Sequence, residues 1–192
     1  MKHEVTTYQT QRLMGDALKT LLEEKPFSKL TVSEVIRVCG VNRKTFYYHF
    51  RDLYDLLGWV LNEEAIGVVH GFDLLTDYEE AIRFSMDYVE NNPYLANCLG
   101  DAAALMEMKR FFYADFLGIV LSVVETAEQE AGTRLEPAFR DYAARFYTEA
   151  IVAMLIDWAK NGCRADKEQT LCYLSRILSA NMESLFCQLK KQ

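Results

Sequence analysis

An all-α fold is predicted by three observations. Apolar residues recur at spacings of three and four along most of the chain, no stretch alternates long enough to read as a strand, and only 9 Gly and 3 Pro punctuate 192 residues. The spacing marks helices with one buried face, and the scarcity of breakers lets them run long. At 51% hydrophobic and 26% charged, the chain can bury a sizeable core, and the composition is not that of a disordered protein.

The first helix is expected from about Thr7 to Glu24, where Leu13, Ala17 and Leu21 recur with Leu18 and Leu22 beside them. Lys25-Pro26 ends it, because a residue before proline is pushed out of the helical region. Thr31-Val-Ser-Glu34 is a capping box that starts a second, two-turn helix with Val32, Val35, Ile36 and Cys39 on its apolar stripe. Gly40 stops that helix where a left-handed backbone is needed. Asn42 can cap a third helix ending near Phe50, and Asp52 a fourth from Leu53 to about Ala65. Longer helices follow at 78–91, capped by Asp77 and Glu80, and at about 103–131, 137–160 and 167–190, with a short one at Pro93. Asn161-Gly162 separates the last two, and Asp166 caps the final one.

The longest nearly apolar run, 116–124, is far shorter than the roughly 20 residues a membrane span needs. MKHEVTTYQTQRL has no apolar signal-peptide core, so a soluble cytoplasmic protein without a membrane partner is expected. The five cysteines (39, 98, 163, 172, 187) are scattered and odd in number, which favours buried reduced thiols over disulfides or a zinc site. No metal, cofactor or catalytic residue is expected: the three histidines lie far apart, and no H-E-x-x-H, E-x-x-H, G-x-S-x-G or phosphate-binding glycine loop occurs. These absences argue against an enzyme.

The net charge of −7 is unevenly spread. Residues 1–55 carry 9 Lys and Arg against 7 Asp and Glu, a balance of +2, whereas the rest carries 12 against 21, a balance of −9. Only the first part is suited to meet a polyanion. Within it, Phe46 and Phe50 lie one turn apart and can sink onto Val32, Val35 and Ile36. The third helix then points Arg43, Lys44, Thr45, Tyr47, Tyr48 and His49 outward or around its flanks, with Arg43 one turn from Tyr47. Two short helices joined by a tight glycine turn, the second exposed, are the design of a helix-turn-helix that enters a major groove. Arg and Lys can meet guanine edges or phosphates, and Tyr and Thr can bond phosphates or touch thymine methyls.

The run from Thr10 to Trp59, with T-V-S-E-V-I, C-G-V-N-R-K-T-F-Y-Y-H-F and R-D-L-Y-D-L-L, resembles the DNA-binding domain of TetR/AcrR-type transcription regulators. The resemblance covers about the first third of the chain. It implies DNA contacts at Thr31, Asn42, Arg43, Lys44, Thr45, Tyr47, Tyr48, His49 and Arg51. Many members carry a lysine at the start of the fourth helix, where this chain has Leu53, so that phosphate contact is either missing or supplied by Arg51. The wording is most similar to the branch containing dihydroxyacetone-kinase regulators, some of which act as coactivators through a protein partner. The implied architecture is an N-terminal three-helix helix-turn-helix domain, residues 1–52, packed on a larger helical effector-binding and dimerisation domain, residues 53–192. The implied activity is a repressor that binds double-stranded operator DNA as a homodimer.

The acidic remainder carries two apolar stripes at helical spacing. One includes Phe146, Ala150, Met154 and Trp158; the other runs Leu171, Leu174, Leu178, Met182, Leu185. Such stripes face either the protein's own core or a symmetry mate; the resemblance implies a four-helix homodimer interface. The middle helices are rich in wide side chains, Phe84, Tyr88, Met106, Phe111, Phe112 and Phe116, with Tyr147 beyond. These are either ordinary core or, as the resemblance implies, the walls of a pocket for a small-molecule effector, with Tyr88, Tyr113, Tyr147 or Arg83 as polar anchors.

Overall fold

The computed structural model describes residues 2–69 and 78–189, and among them the regular secondary structure is entirely helical. In chain order the helices are α1 (Lys2–Glu24), α2 (Val32–Cys39), α3 (Arg43–His49), α4 (Leu53–Val69), α5 (Tyr78–Asn91), α6 (Ala102–Ala131), α7 (Pro137–Lys160) and α8 (Lys167–Leu189). Two 3₁₀ segments, Phe27–Lys29 and Pro93–Cys98, join α1 to α2 and α5 to α6. The chain divides into two compact units: residues 1–70 with 92–111, and residues 71–91 with 112–192. The expected Asp77 cap and the side chains of Met182, Leu185 and Cys187 lie outside what is described.

The first unit is built around α1. Its buried face is Met14, Ala17, Leu18, Leu21 and Leu22, whereas Leu13, expected on that face, is 54% exposed. Steps of four overshoot a 3.6-residue turn, so Leu13 falls well round the helix from Leu21, and Met14 takes the inward position. Gly15 lets α4 approach closely: a Cβ there would come within 2.9 Å of Val60 Cγ2 and 3.1 Å of the Trp59 ring. Glu64 of α4 accepts from Lys19 Nζ at 3.0 Å and from the Tyr94 hydroxyl at 2.6 Å, tying α1, α4 and the second 3₁₀ segment together. Asn97 Nδ2 donates to the Leu22 carbonyl at 2.7 Å, closing the exposed end of α1. Asp101 Oδ1 caps α6 by accepting from the N–H groups of Ala103 and Ala104.

In the second unit, Lys167 at the start of α8 reaches Asp87 and Glu90 of α5, each at 2.5 Å, and Arg83 pairs with Glu168. Asp166 caps α8 by accepting from the Gln169 N–H at 2.7 Å. Glu128, nearly buried, accepts from the Leu135 N–H at 2.8 Å and faces Arg140 at 3.8 Å, fastening the turn between α6 and α7. Trp158 is buried, and its Nε1 donates to the Ala165 carbonyl at 3.0 Å. The cysteines depart from the expectation of buried thiols. Cys98 is buried, and burial reinforced by Asp101 pushes its thiol up to about 12, but Cys172 is exposed.

Gly40 closes α2 at φ +71, and a Cβ there would touch nothing within 4 Å. Its substitution therefore isolates the backbone cost of the left-handed turn. Gly40→Ala is expected to lower unfolding stability by about 1–2 kcal/mol. Urea denaturation checks this, and an unchanged midpoint would show that the turn does not depend on glycine.

Candidate nucleic-acid interface

The interface is assembled from local signals that all terminate on α3. The Thr31 hydroxyl accepts from the Glu34 N–H at 3.3 Å, while the Glu34 carboxylate accepts from the Thr31 N–H at 3.0 Å and from the Thr31 hydroxyl at 2.9 Å. This is the reciprocal cap expected from the sequence. Lys25 adds a 2.5 Å bond to the same carboxylate. After Gly40, Asn42 Oδ1 accepts from the Thr45 N–H at 2.8 Å and starts α3. The first rungs of both helices are thereby satisfied, and the angle between them is set by a short turn.

Phe46 is 0% exposed and Phe50, extended at the end of α3, is also buried; their ring centroids are 6.0 Å apart. Phe50 in turn meets Trp59 of α4 at 5.9 Å. With that face held down, Arg43, Lys44, Tyr47 and Tyr48 stand exposed, Tyr47 at 47% and Tyr48 at 74%. Thr45 and His49 are half-buried on the flanks. Burial holds the His49 imidazole below its ordinary value. The Arg43 guanidinium lies 5.6 Å from the Tyr47 ring centroid, and its Nη2 is 3.4 Å from the Tyr47 hydroxyl. Arg51 is exposed, and its guanidinium lies 3.6 Å from Asp55. Leu53 is buried, so the first position of α4 serves the core. Thr31 and Asn42 are already engaged as caps.

The residues expected around an effector fall in both units. Phe84, Tyr88, Phe112, Phe116 and Tyr147 belong to the second; Met106, 56% exposed, and Phe111, buried, belong to the first. Tyr88 and Phe112 meet edge to face at 6.5 Å. Burial raises the Tyr147 phenol above its ordinary value. Asp115 lies one turn from Phe112 on α6, and burial raises its carboxyl.

The two stripes of the last helices also sort by exposure. Phe146, Ala150 and Met154 face outward on α7, but Trp158 and Leu171 are covered within the second unit, and Leu174 and Leu178 are half-buried. The apolar residues that do face out were partly missed: Tyr142 at 71% on α7, and Tyr173 and Ile177 on α8. Inward burial takes Trp158 and Leu171 because each lies on the face of its helix that packs within the unit, whereas Tyr142 and Phe146 are one turn apart on the opposite side.

Residues 16–58 match the family of bacterial regulatory proteins of the tetR type, and residues 76–180 match a transcriptional regulator C-terminal region of the same family. The chain belongs to the TetR family of transcriptional regulators, whose members bind DNA through such a helix-turn-helix and are not enzymes. It is 17% identical over 145 residues, 76% of each chain, to the dhaKLM operon transcriptional activator DhaS of Lactococcus lactis. The fold resembles a structure of the dihydroxyacetone kinase operon activator DhaS, with TM-score 0.66 and 16% identity over 91% of this chain and 96% of that one. A TetR-family regulator from Syntrophomonas wolfei gives TM-score 0.64 at 17% identity over 94% and 96%. One from Streptococcus agalactiae gives 0.58 at 22% over 92% and 97%. Among the described residues no helix is long and apolar enough to cross a membrane.

Bonds from Lys25 and then Thr31 hold the Glu34 carboxyl below its ordinary value of 4.5. A lowered carboxylate value means the cap stabilises fully above pH 4.5 and is lost as pH falls through the lower folded value. As pH falls, the Thr31 amide, which donates to the Glu34 carboxylate, is expected to lose protection relative to its intrinsic exchange rate, an effect that Glu34→Gln removes. Amide exchange followed from pH 6 to pH 3 checks this; equal acid sensitivity in both proteins would rule out the cap as its source.

Proposed function

We propose that this regulator binds operator DNA as a homodimer, acts as a repressor, and is modulated by a small-molecule effector. Residues 1–52 read the duplex, while residues 53–192 hold the effector and pair the copies. One observation carries the reading: α3 is anchored by Phe46 and Phe50 beneath and exposes Arg43, Lys44, Tyr47 and Tyr48 above. Those donors suit phosphates and purine edges, and Thr45, His49 and Arg51 flank them. Two copies set one helical turn apart, about 34–36 Å, add their contacts and so gain the specificity a single short helix lacks.

The outward apolar residues Tyr142, Phe146 and Met154 on α7, with Tyr173 and Ile177 on α8, support a helix-pair interface between copies. Phe84, Tyr88, Phe112, Phe116 and Tyr147 support an effector site in the second unit, with Asp115 an acidic group among them. An effector that prefers one arrangement of the dimer changes operator affinity by linkage. A second reading, a coactivator that acts only with a protein partner, is favoured by the similarity to DhaS, which is described as an activator.

Fluorescence anisotropy with the duplex upstream of the protein's own operon tests the proposal. Specific binding is expected to weaken steeply with salt, because Lys and Arg displace counterions. Arg43→Ala with Lys44→Ala is expected to abolish specific binding while leaving oligomeric state unchanged. Phe146→Glu is expected to yield monomers by sedimentation and to cost operator affinity at least about 100-fold, since one half-site contact is lost. Binding that appears only when a second protein is added selects the coactivator reading.

A further inference from the structure

We infer that Tyr47 is a positioning residue that holds Arg43 for the major-groove edge of a guanine in each half-site; this rests on the reading of α3 as the DNA-contacting helix. Arg43 is the first residue of α3, the end from which a recognition helix meets base edges. Tyr47 follows one turn later on the same face. The two are joined twice: the guanidinium carbon lies 5.6 Å from the ring centroid, and Nη2 lies 3.4 Å from the phenol oxygen.

The support continues downward. Tyr47 meets the ring of Phe46 edge to face at 5.4 Å, and Phe46 is fully buried. A chain of contacts thus runs from the core, through Phe46 and Tyr47, to the guanidinium. Helix α3, Arg-Lys-Thr-Phe-Tyr-Tyr-His, contains no carboxylate to draw Arg43 aside. Its neighbour Tyr48 rests on His49 instead, with centroids 4.9 Å apart.

The chemistry follows from the fork. Arginine loses rotamer freedom when it binds, and a side chain already stacked on a ring loses less. With one Nη2 hydrogen near the phenol, the guanidinium keeps two parallel donors for N7 and O6 of guanine, the bidentate pattern no other base offers. Tyr47 acts here through Arg43 rather than by reading a base itself. Lysine at position 43 would keep the charge but lose the fork.

The test uses the full-length protein and duplexes selected by the wild type from a randomised-sequence library. Affinities and selected sequences are compared for Arg43→Ala, Arg43→Lys, Tyr47→Ala, Tyr47→Phe and the double alanine variant, with helicity checked by circular dichroism. Wild type is expected to select a guanine at one fixed position of each half-site. Arg43→Ala and Tyr47→Ala are each expected to weaken binding about tenfold or more and to relax preference at that same base pair. The double variant is expected to bind within about threefold of the weaker single one, because the two act as a unit. Tyr47→Phe keeps the ring and is expected to lose no more than about threefold, which keeps the test decisive if Tyr47→Ala folds poorly. Losses that multiply in the double variant, or relaxation at two different base pairs, would overturn the inference while leaving DNA binding intact. A wild-type protein that selects no sequence would overturn DNA reading and the inference together.

Discussion

Burial of Phe46 and Phe50 is the constraint on which the exposed face of α3 depends. Two aromatic side chains one turn apart remove a few hundred Å² of apolar surface from water, several kcal/mol in favour of one orientation of a seven-residue helix. A helix that short has little stability of its own, since nucleation is unfavourable and few hydrogen bonds repay it. Its geometry is therefore borrowed from the core. Once Phe46 and Phe50 are seated, the outward direction of Arg43, Lys44, Tyr47 and Tyr48 follows from helical periodicity alone. The contact from Phe50 to Trp59 carries the same constraint into α4, and the Gly15 approach carries it on to α1.

Around that anchor, polar groups are used locally and economically. Thr31, Glu34 and Lys25 form one small network at the start of α2, and Asn42 and Asp52 each serve the next helix. Such bonds satisfy amides that would otherwise be orphaned and leave the cationic side chains of α3 unclaimed by acids of their own helix. The acidic excess lies later in the chain, where Lys167, Arg83 and Arg140 are matched against Asp87, Glu90, Glu168, Glu125 and Glu128. A weakly basic N-terminal segment on an acidic chain is thus a matter of where charges are placed, not how many there are.

Much of this was legible in the amino-acid order because the informative interactions span only a few residues. The Thr31–Glu34 box, the left-handed Gly40, the Asn42 and Asp166 caps, and the pairing of Arg43 with Tyr47 are all contacts between residues three or four apart. What was misread depends on which side of a helix its neighbours occupy. Leu13 and Met14 are equally apolar, and only the position of the packing partners decides that Met14 goes in. Which side faces the packing partners also decides between the two alternatives left open for the last helices: Trp158 and Leu171 sit inward, and Tyr142, Tyr173 and Ile177 sit outward. The 3₁₀ turn at Phe27–Lys29 escaped notice because three residues are too few to show a period. The first helix, expected from about Thr7, runs back to Lys2 in the structure.

The placement of the indoles has a practical consequence. The chain has 2 Trp; Trp59 packs against Phe50 and Tyr8 in the first unit, and Trp158 is bonded to Ala165 in the second. Each half of the molecule therefore contains its own native fluorophore, one packed on the aromatic bed beneath α3 and the other near the end of α7, bonded to the connection that follows it. Emission from singly substituted chains can then follow the melting of each half independently, with no dye attached.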